Sequence, residues 1–418
     1  MSARSVCSFF PLRPLRVLSL ALMLGLVGAC GGGGGGDGDG ANGSAGGAGS
    51  SGGNTGGSNG GTSTPPPVAT GEGPSLGACP VFPASAIFNT RIDSLPVHAQ
   101  SAGWLSLITG GGSNNRALHA DWGTEDNPAQ TASYYGIPYN LLGAGAASTT
   151  WPTLSFNATD PRAGGGTGAP DESDCGVPNG AGGFSLQRGC QAVAASQLRF
   201  PYPVDSQLKA EGGQCNDAQT CGDRHVLVVE QGSCRLWESY FSYHVDGQWY
   251  AYSTAAWDLN SNAMRPDGRT SADAAGLPIL PLLARVDEAD ANDIRHAFRV
   301  TFRDSVLARS AVWPARHAAG GSSGSIPFGA VLRLKSSFSP PAAWGTQARA
   351  IAAAMQRYGL YVADIGSDLY VQGEPSARWS DQTISQIQGL HMNDFEFVDL
   401  GAITGRAGFD GNSYRATW

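Results

Sequence analysis

The chain has 418 residues, a formal charge of -8 and 41% hydrophobic residues, which is enough to bury a sizeable core. Lys209 and Lys335 are its lysines and it carries no basic stripe, which excludes nucleic acid as a natural partner. Arg is the main cation, a choice that favours fixed, forked contacts. No apolar run after Val27 is long enough to supply the ~20 helical residues of a bilayer span.

At the N-terminus Arg4, Arg13 and Arg16 precede an apolar run from Val17 to Val27, the pattern of a secretory signal. The following Leu26-Val27-Gly28-Ala29-Cys30 ending resembles the lipobox of bacterial lipoproteins. That resemblance implies cleavage before Cys30 and lipid on its sulfur and new amino group. Because Gly31 rather than Asp follows, it also implies sorting to the outer membrane and the cell surface. Residues 31 to 75 are rich in Gly and Ser, with too few apolar side chains to offset ordering entropy, and read as a coil. A coil of that length would hold a domain roughly 35–40 Å from its anchor. The expected organisation is a signal at 1–29, a lipidated Cys and tether at 30–75, and one globular domain at 76–418. The membrane is expected as a partner through the lipid alone, and the domain as a monomer.

Six cysteines follow in the exported part: Cys79, Cys175, Cys190, Cys215, Cys221 and Cys234. An even number in an exported chain points to three disulfides, with about 15 connectivities open to six cysteines. The spacing suggests Cys215–Cys221 and Cys175–Cys190 as local staples, leaving Cys79–Cys234 for a long-range tie. With no CxxC and no HExxH, neither a metal nor another cofactor is expected.

Along the domain, WLSLI, RALHADWG, YYGIPYNLL and WPTLSFN read as strands or extended edges, and 160–222 as a stapled, loop-rich layer. His225 to Glu230 is a buried-type strand. Arg235 to Phe241 alternates, placing Leu236, Glu238 and Tyr240 on one face. His296 to Phe302 puts His296, Phe298, Val300 and Phe302 opposite Ala297, Arg299 and Thr301. Val331 to Phe338 is a further strand, and Thr346 starts an amphipathic helix closed by Gly359. Tyr361 to Gly373 reads as a hairpin turning at Gly366-Ser367. A helix from Trp379 to Ile387 and a strand from Phe395 to Leu400 complete the chain. The fold class expected is mainly β, a sandwich or jelly-roll-like core with a few peripheral helices.

Residues 257 to 281, WDLNSNAMRPDGRTSADAAGLPILP, form a long polar loop with apolar anchors, the kind of segment that builds a site wall. Asp258, Asn260 and Asn262 begin like a calcium loop, but Ala263 and Arg269 depart from that pattern. YGIPY (135–139), DRHVLVVE (223–230), WDLNSNAMRP (257–266), TSADAAGLPILP (270–281), IRHAF (294–298) and VWPARH (312–317) resemble a family of exported bacterial proteins. The resemblance covers most of the domain and brings no activity with it.

Paired carboxylates are the strongest chemical lead, since two carboxyl groups about 5 to 9.5 Å apart cleave glycosidic bonds. Glu238, Asp258 and Asp273 are the catalytic candidates, Glu238 as a general acid in part-apolar surroundings. His225, Trp257, Asn260, Asn262, Arg265, His296, Arg316 and His317 are candidates for substrate binding. Each has a structural alternative: Glu238 on a surface strand, Asp273 stabilised at a helix start, His296 satisfied in a core. Asp364 and Asp368, on opposite faces of the expected hairpin, make a poor pair. The function expected is a surface-anchored glycoside hydrolase acting on a polysaccharide. A polysaccharide lyase and a non-catalytic glycan-binding or adhesion module remain as alternatives.

Overall fold

A computed structural model describes residues 73–143, 151–156 and 167–417, all within the compact unit Pro67–Trp418. The signal, Cys30 and most of the tether lie outside the described residues. The architecture is mainly β, a sandwich with a few helices at its periphery.

A four-stranded sheet runs in the order Ser253–Asp258, Arg235–Tyr240, Val226–Glu230, Tyr139–Leu142. Its two central strands are buried on both faces. Leu227, Val229, Leu236, Ala255 and Trp257 enter the larger core, whereas Val226, Val228, Trp237 and Ala256 enter a smaller one. The smaller core is closed by the cysteine-rich layer, where Cys175 and Cys190 pack with Trp151, Phe200 and Trp249. All three disulfides pair as the spacing suggested: Cys79–Cys234, Cys175–Cys190 and Cys215–Cys221. Such bonds fit an oxidising, extracytoplasmic compartment.

The larger core is shared with a six-stranded mixed sheet in the order Phe395–Val398, Val331–Leu334, Leu360–Ile365, Phe298–Phe302, Tyr370–Gln372, His119–Asp121. Here the expected hairpin is absent. Leu360–Ile365 and Tyr370–Gln372 do not pair with each other, because Phe298–Phe302 lies between them. The intervening turn bridges over that strand, with Gly366 N–H donating to Phe302 O and Leu369 N–H to Thr301 O.

WLSLI also departs from expectation, forming part of a helix, Ser101–Thr109, ended by Gly110 at φ 58°. Trp104 and Ile108, four residues apart, are its buried stripe. The helix Thr346–Arg357 is as expected in type, although Gly345 rather than Thr346 is its N-cap. The second helix starts later than expected, at Asp381, where the Ser380 side chain accepts from Thr383 N–H.

Candidate active site

Where the ends of strands from both sheets meet the 259–279 loop, a cavity of about 350 Å³ opens. Its walls include Asp223, Tyr240, Ser253, Thr270, Asp273 and Asp364. Tyr240 ends one strand and Ser253 begins the strand paired with it, residue against residue. Asp223 stands exposed at the rim and accepts from the Tyr240 hydroxyl at 3.3 Å. Ser253 Oγ donates to Ser271 O at 2.7 Å, tying the sheet to the loop.

Asp364 reaches this cavity through a β-bulge. Phe298–Phe302 and Leu360–Ile365 pair in register up to Val300 and Val362, then Thr301 faces Asp364 and Ala363 is skipped. Because side chains alternate along a strand, that one extra residue moves Asp364 onto the Arg299 and Thr301 face. Arg299 grips Asp273 with two donors, Nη2 to Oδ1 at 2.7 Å and Nε to Oδ2 at 3.2 Å. Its Nη2 also lies 3.4 Å from Asp364 Oδ2. The Asp273 side chain is fully buried, whereas Asp364 keeps 27% of its side chain exposed.

Asp364 and Asp273 thus share one Arg299 nitrogen, which holds the two carboxyl groups close together. Burial, and then the Asp273 charge, push the Asp364 carboxyl up to about 8 against the opposing pull of Arg299. A carboxylic acid is therefore presented to the cavity at neutral pH.

Beneath the cavity the charges are spoken for. His225 Nδ1 lies 2.6 Å from Glu211 Oε2 and Nε2 lies 2.9 Å from Ala272 O, so acceptors face both ring nitrogens. Burial would lower its pKa, but the Glu211 carboxylate outweighs burial and raises it to about 9. Glu238 is wholly buried and accepts from Ile279 N–H at 2.9 Å and Leu280 N–H at 2.8 Å, binding the loop to the sheet. Burial raises its pKa to about 7, with the two N–H groups opposing.

The structure thus brings Asp273 to the cavity wall and places His225 and Glu238 behind it. Glu238 has no exposed surface through which to reach a substrate. Asp273 sits in an irregular bend rather than a helix start, its N–H donating to Ser271 Oγ at 2.9 Å. Asp258 is exposed at the far end of its strand from Ser253. The expected row of Asp258, Asn260 and Asn262 does not form, because Asp258 Oδ1 accepts Asn260 N–H at 2.9 Å and turns the chain. Asn262 Nδ2 is spent on Ser85 Oγ at 2.8 Å.

Trp257 is core, its Nε1 3.3 Å from Tyr414 Oη. Arg265 is buried against Asp174, with Nε 2.7 Å from Oδ2. His296 is buried and bonds Glu288 Oε2 at 2.8 Å, the satisfied core histidine. Arg316 donates to Gly411 O at 2.8 Å, and His317 Nδ1 lies 3.1 Å from Ala274 O. These last two brace the loop from outside. Among the described residues, no three His, Cys, Asp or Glu side chains are placed to hold a metal ion.

Asp223, Tyr240, Ser253 and Arg299 are not among the candidates drawn from the sequence, and Asp364 is set aside there as one half of a poor pair with Asp368. Arg299 and Thr301, the polar face of an otherwise apolar strand, were the available signal. Comparison with known proteins adds nothing to the geometry: no family model, no curated protein and no solved structure matches the chain.

Proposed function

We propose that the protein is an exported glycoside hydrolase whose active site is the cavity holding Asp364, Asp273 and Asp223. The observation that carries the reading is Asp364, a carboxyl held protonated by burial and by Asp273 at the wall of an open cavity. In the reaction Asp364 gives its proton to the glycosidic oxygen as the bond from that oxygen to the anomeric carbon breaks. Water adds to the anomeric carbon, and Asp223 takes the proton that the water releases. Asp273 and Arg299 do not touch the sugar; they set the protonation of Asp364.

The Asp364–Asp273 pair does not itself supply the two catalytic carboxyls, since one Arg299 nitrogen bridges them and the Asp273 side chain has no exposed surface. Asp223, exposed at the cavity rim, is the residue we assign to the second role. No described tryptophan is exposed, so support for a flat stacking platform is lacking and the cavity is the better lead. Anchoring through lipid on Cys30, with the outer membrane as destination, belongs to the same proposal.

Reducing-end release from a panel of polysaccharides tests this. Wild type should cleave at least one member, and Asp364→Asn, with an unchanged circular dichroism spectrum, should lose at least ~100-fold in turnover. Undiminished turnover by the folded variant would overturn the assignment. Products carrying a new double bond, absorbing in the ultraviolet, would replace hydrolysis by elimination.

A further inference from the structure

Beyond the Asp364–Asp368 segment lies a second cavity, of about 630 Å³. Asp364 and Ile365 line the first cavity, while Gly366, Ser367 and Asp368 line the second, so one short turn separates the two. The chemistry changes sign across that turn. The first has the exposed carboxylate of Asp223 beside the Asp364 acid, with Asp273 behind them paired to Arg299, whereas the second gathers Arg116, His119 and Arg303 around Asp368.

Asp368 cannot neutralise both guanidinium groups. Arg303 forms the close ion pair with it and also donates to Ile108 O at 3.1 Å and Leu107 O at 2.9 Å. Arg116 is held less closely by Asp368, its Nε 3.9 Å away, with the Asn114 amide oxygen beside its Nε and Nη2 and its side chain 53% exposed. His119 stacks on the Tyr370 ring at 4.0 Å, and neither of its ring nitrogens has a hydrogen-bond partner among the described residues. A forked cation and an unpaired imidazole in an open cavity suit a planar anion.

We infer that this cavity is a subsite for a carboxylate-bearing sugar, so that the substrate is an acidic, uronate-containing polysaccharide. The inference rests on the glycan reading of the first cavity and adds the class of glycan. A chain lying across the 366–368 turn would place a uronate on Arg116 and His119 while the bond to be broken meets Asp364. The net positive lining contrasts with a molecule whose formal charge is -8, and a neutral glycan would have no use for it.

Binding tests it without relying on turnover. The full chain carrying Asp364→Asn would be titrated with pentamers of galacturonate and of mannuronate, and with their methyl esters. At least one acid form should bind at least ~10-fold more tightly than its ester, in line with a charge-assisted hydrogen bond. Adding Arg116→Gln should remove that preference, while Arg116→Lys should keep part of it. Arg116 is exposed at the surface, so the substitution leaves the core untouched. Equal binding of acid and ester, or a preference that survives Arg116→Gln, would overturn the subsite. An Arg116-dependent preference without glycan cleavage by wild type would sustain the subsite and count against the hydrolase.

Discussion

Asp364 and Asp273 differ in what surrounds them rather than in their chemistry. Asp273 has both donors of a guanidinium fork and no exposed surface, whereas Asp364 has one long contact to the same group and a face toward solvent. The proton therefore settles on Asp364. This has a consequence for stability. Between the unfolded value near 4 and the folded value of about 8, the folded chain keeps a proton that the unfolded chain gives up. That contribution is fully present below pH 4 and lost as pH rises through about 8. Asp364→Asn cannot lose it, so the variant's melting temperature relative to wild type should climb from pH 5 to pH 8. A difference that stays flat over that range in thermal unfolding would show that Asp364 titrates normally. His225, raised to about 9 by Glu211, adds a decline of the same sign from pH 6.5 upward in both proteins and cancels in the comparison.

At the scale of elements, the strands were legible where burial was two-sided. HVLVVE has no polar face to mislead, and Arg235–Tyr240 follows from its alternation. Ser101–Thr109 is ambiguous in sequence because the short, mostly apolar WLSLI fits either period, and the deciding feature is the left-handed Gly110 beyond it. Strand order was not legible at all. Nothing local in Leu360–Gln372 says that Phe298–Phe302 will slot between its two halves, since that choice is made by the shared core. The same applies to the site: Asp273 stood out in a dense polar loop, while the reach of Asp364 depends on a bulge that no residue type announces. The loop that delivers Asp273 has its own constraint at Gly276. There φ is 68°, the N–H donates to Asp273 O at 3.2 Å, and a Cβ would come 2.8 Å from Arg269 O. Gly276→Val should therefore destabilise the fold by about 1–3 kcal/mol, measured by urea unfolding. An unchanged midpoint would mean the loop relaxes freely and does not hold Asp273 rigidly.

For the whole molecule, the disulfide set and the layered core describe a domain built for an oxidising environment. Cys79–Cys234 joins residues 155 apart and fastens the start of the domain to the turn that precedes the strand Arg235–Tyr240. If Cys30 is lipidated as proposed, Cys30→Ala should abolish incorporation of a fatty-acid probe and release the chain from the membrane fraction. Equal labelling of wild type and variant would remove the anchor from the account.

The most direct test of the central claim is the pH dependence of kcat/KM on whichever glycan the protein cleaves. If Asp364 is the proton donor, activity should fall about tenfold per pH unit above about 8, as the acid is lost. Activity that continues to rise past pH 9 would contradict the account.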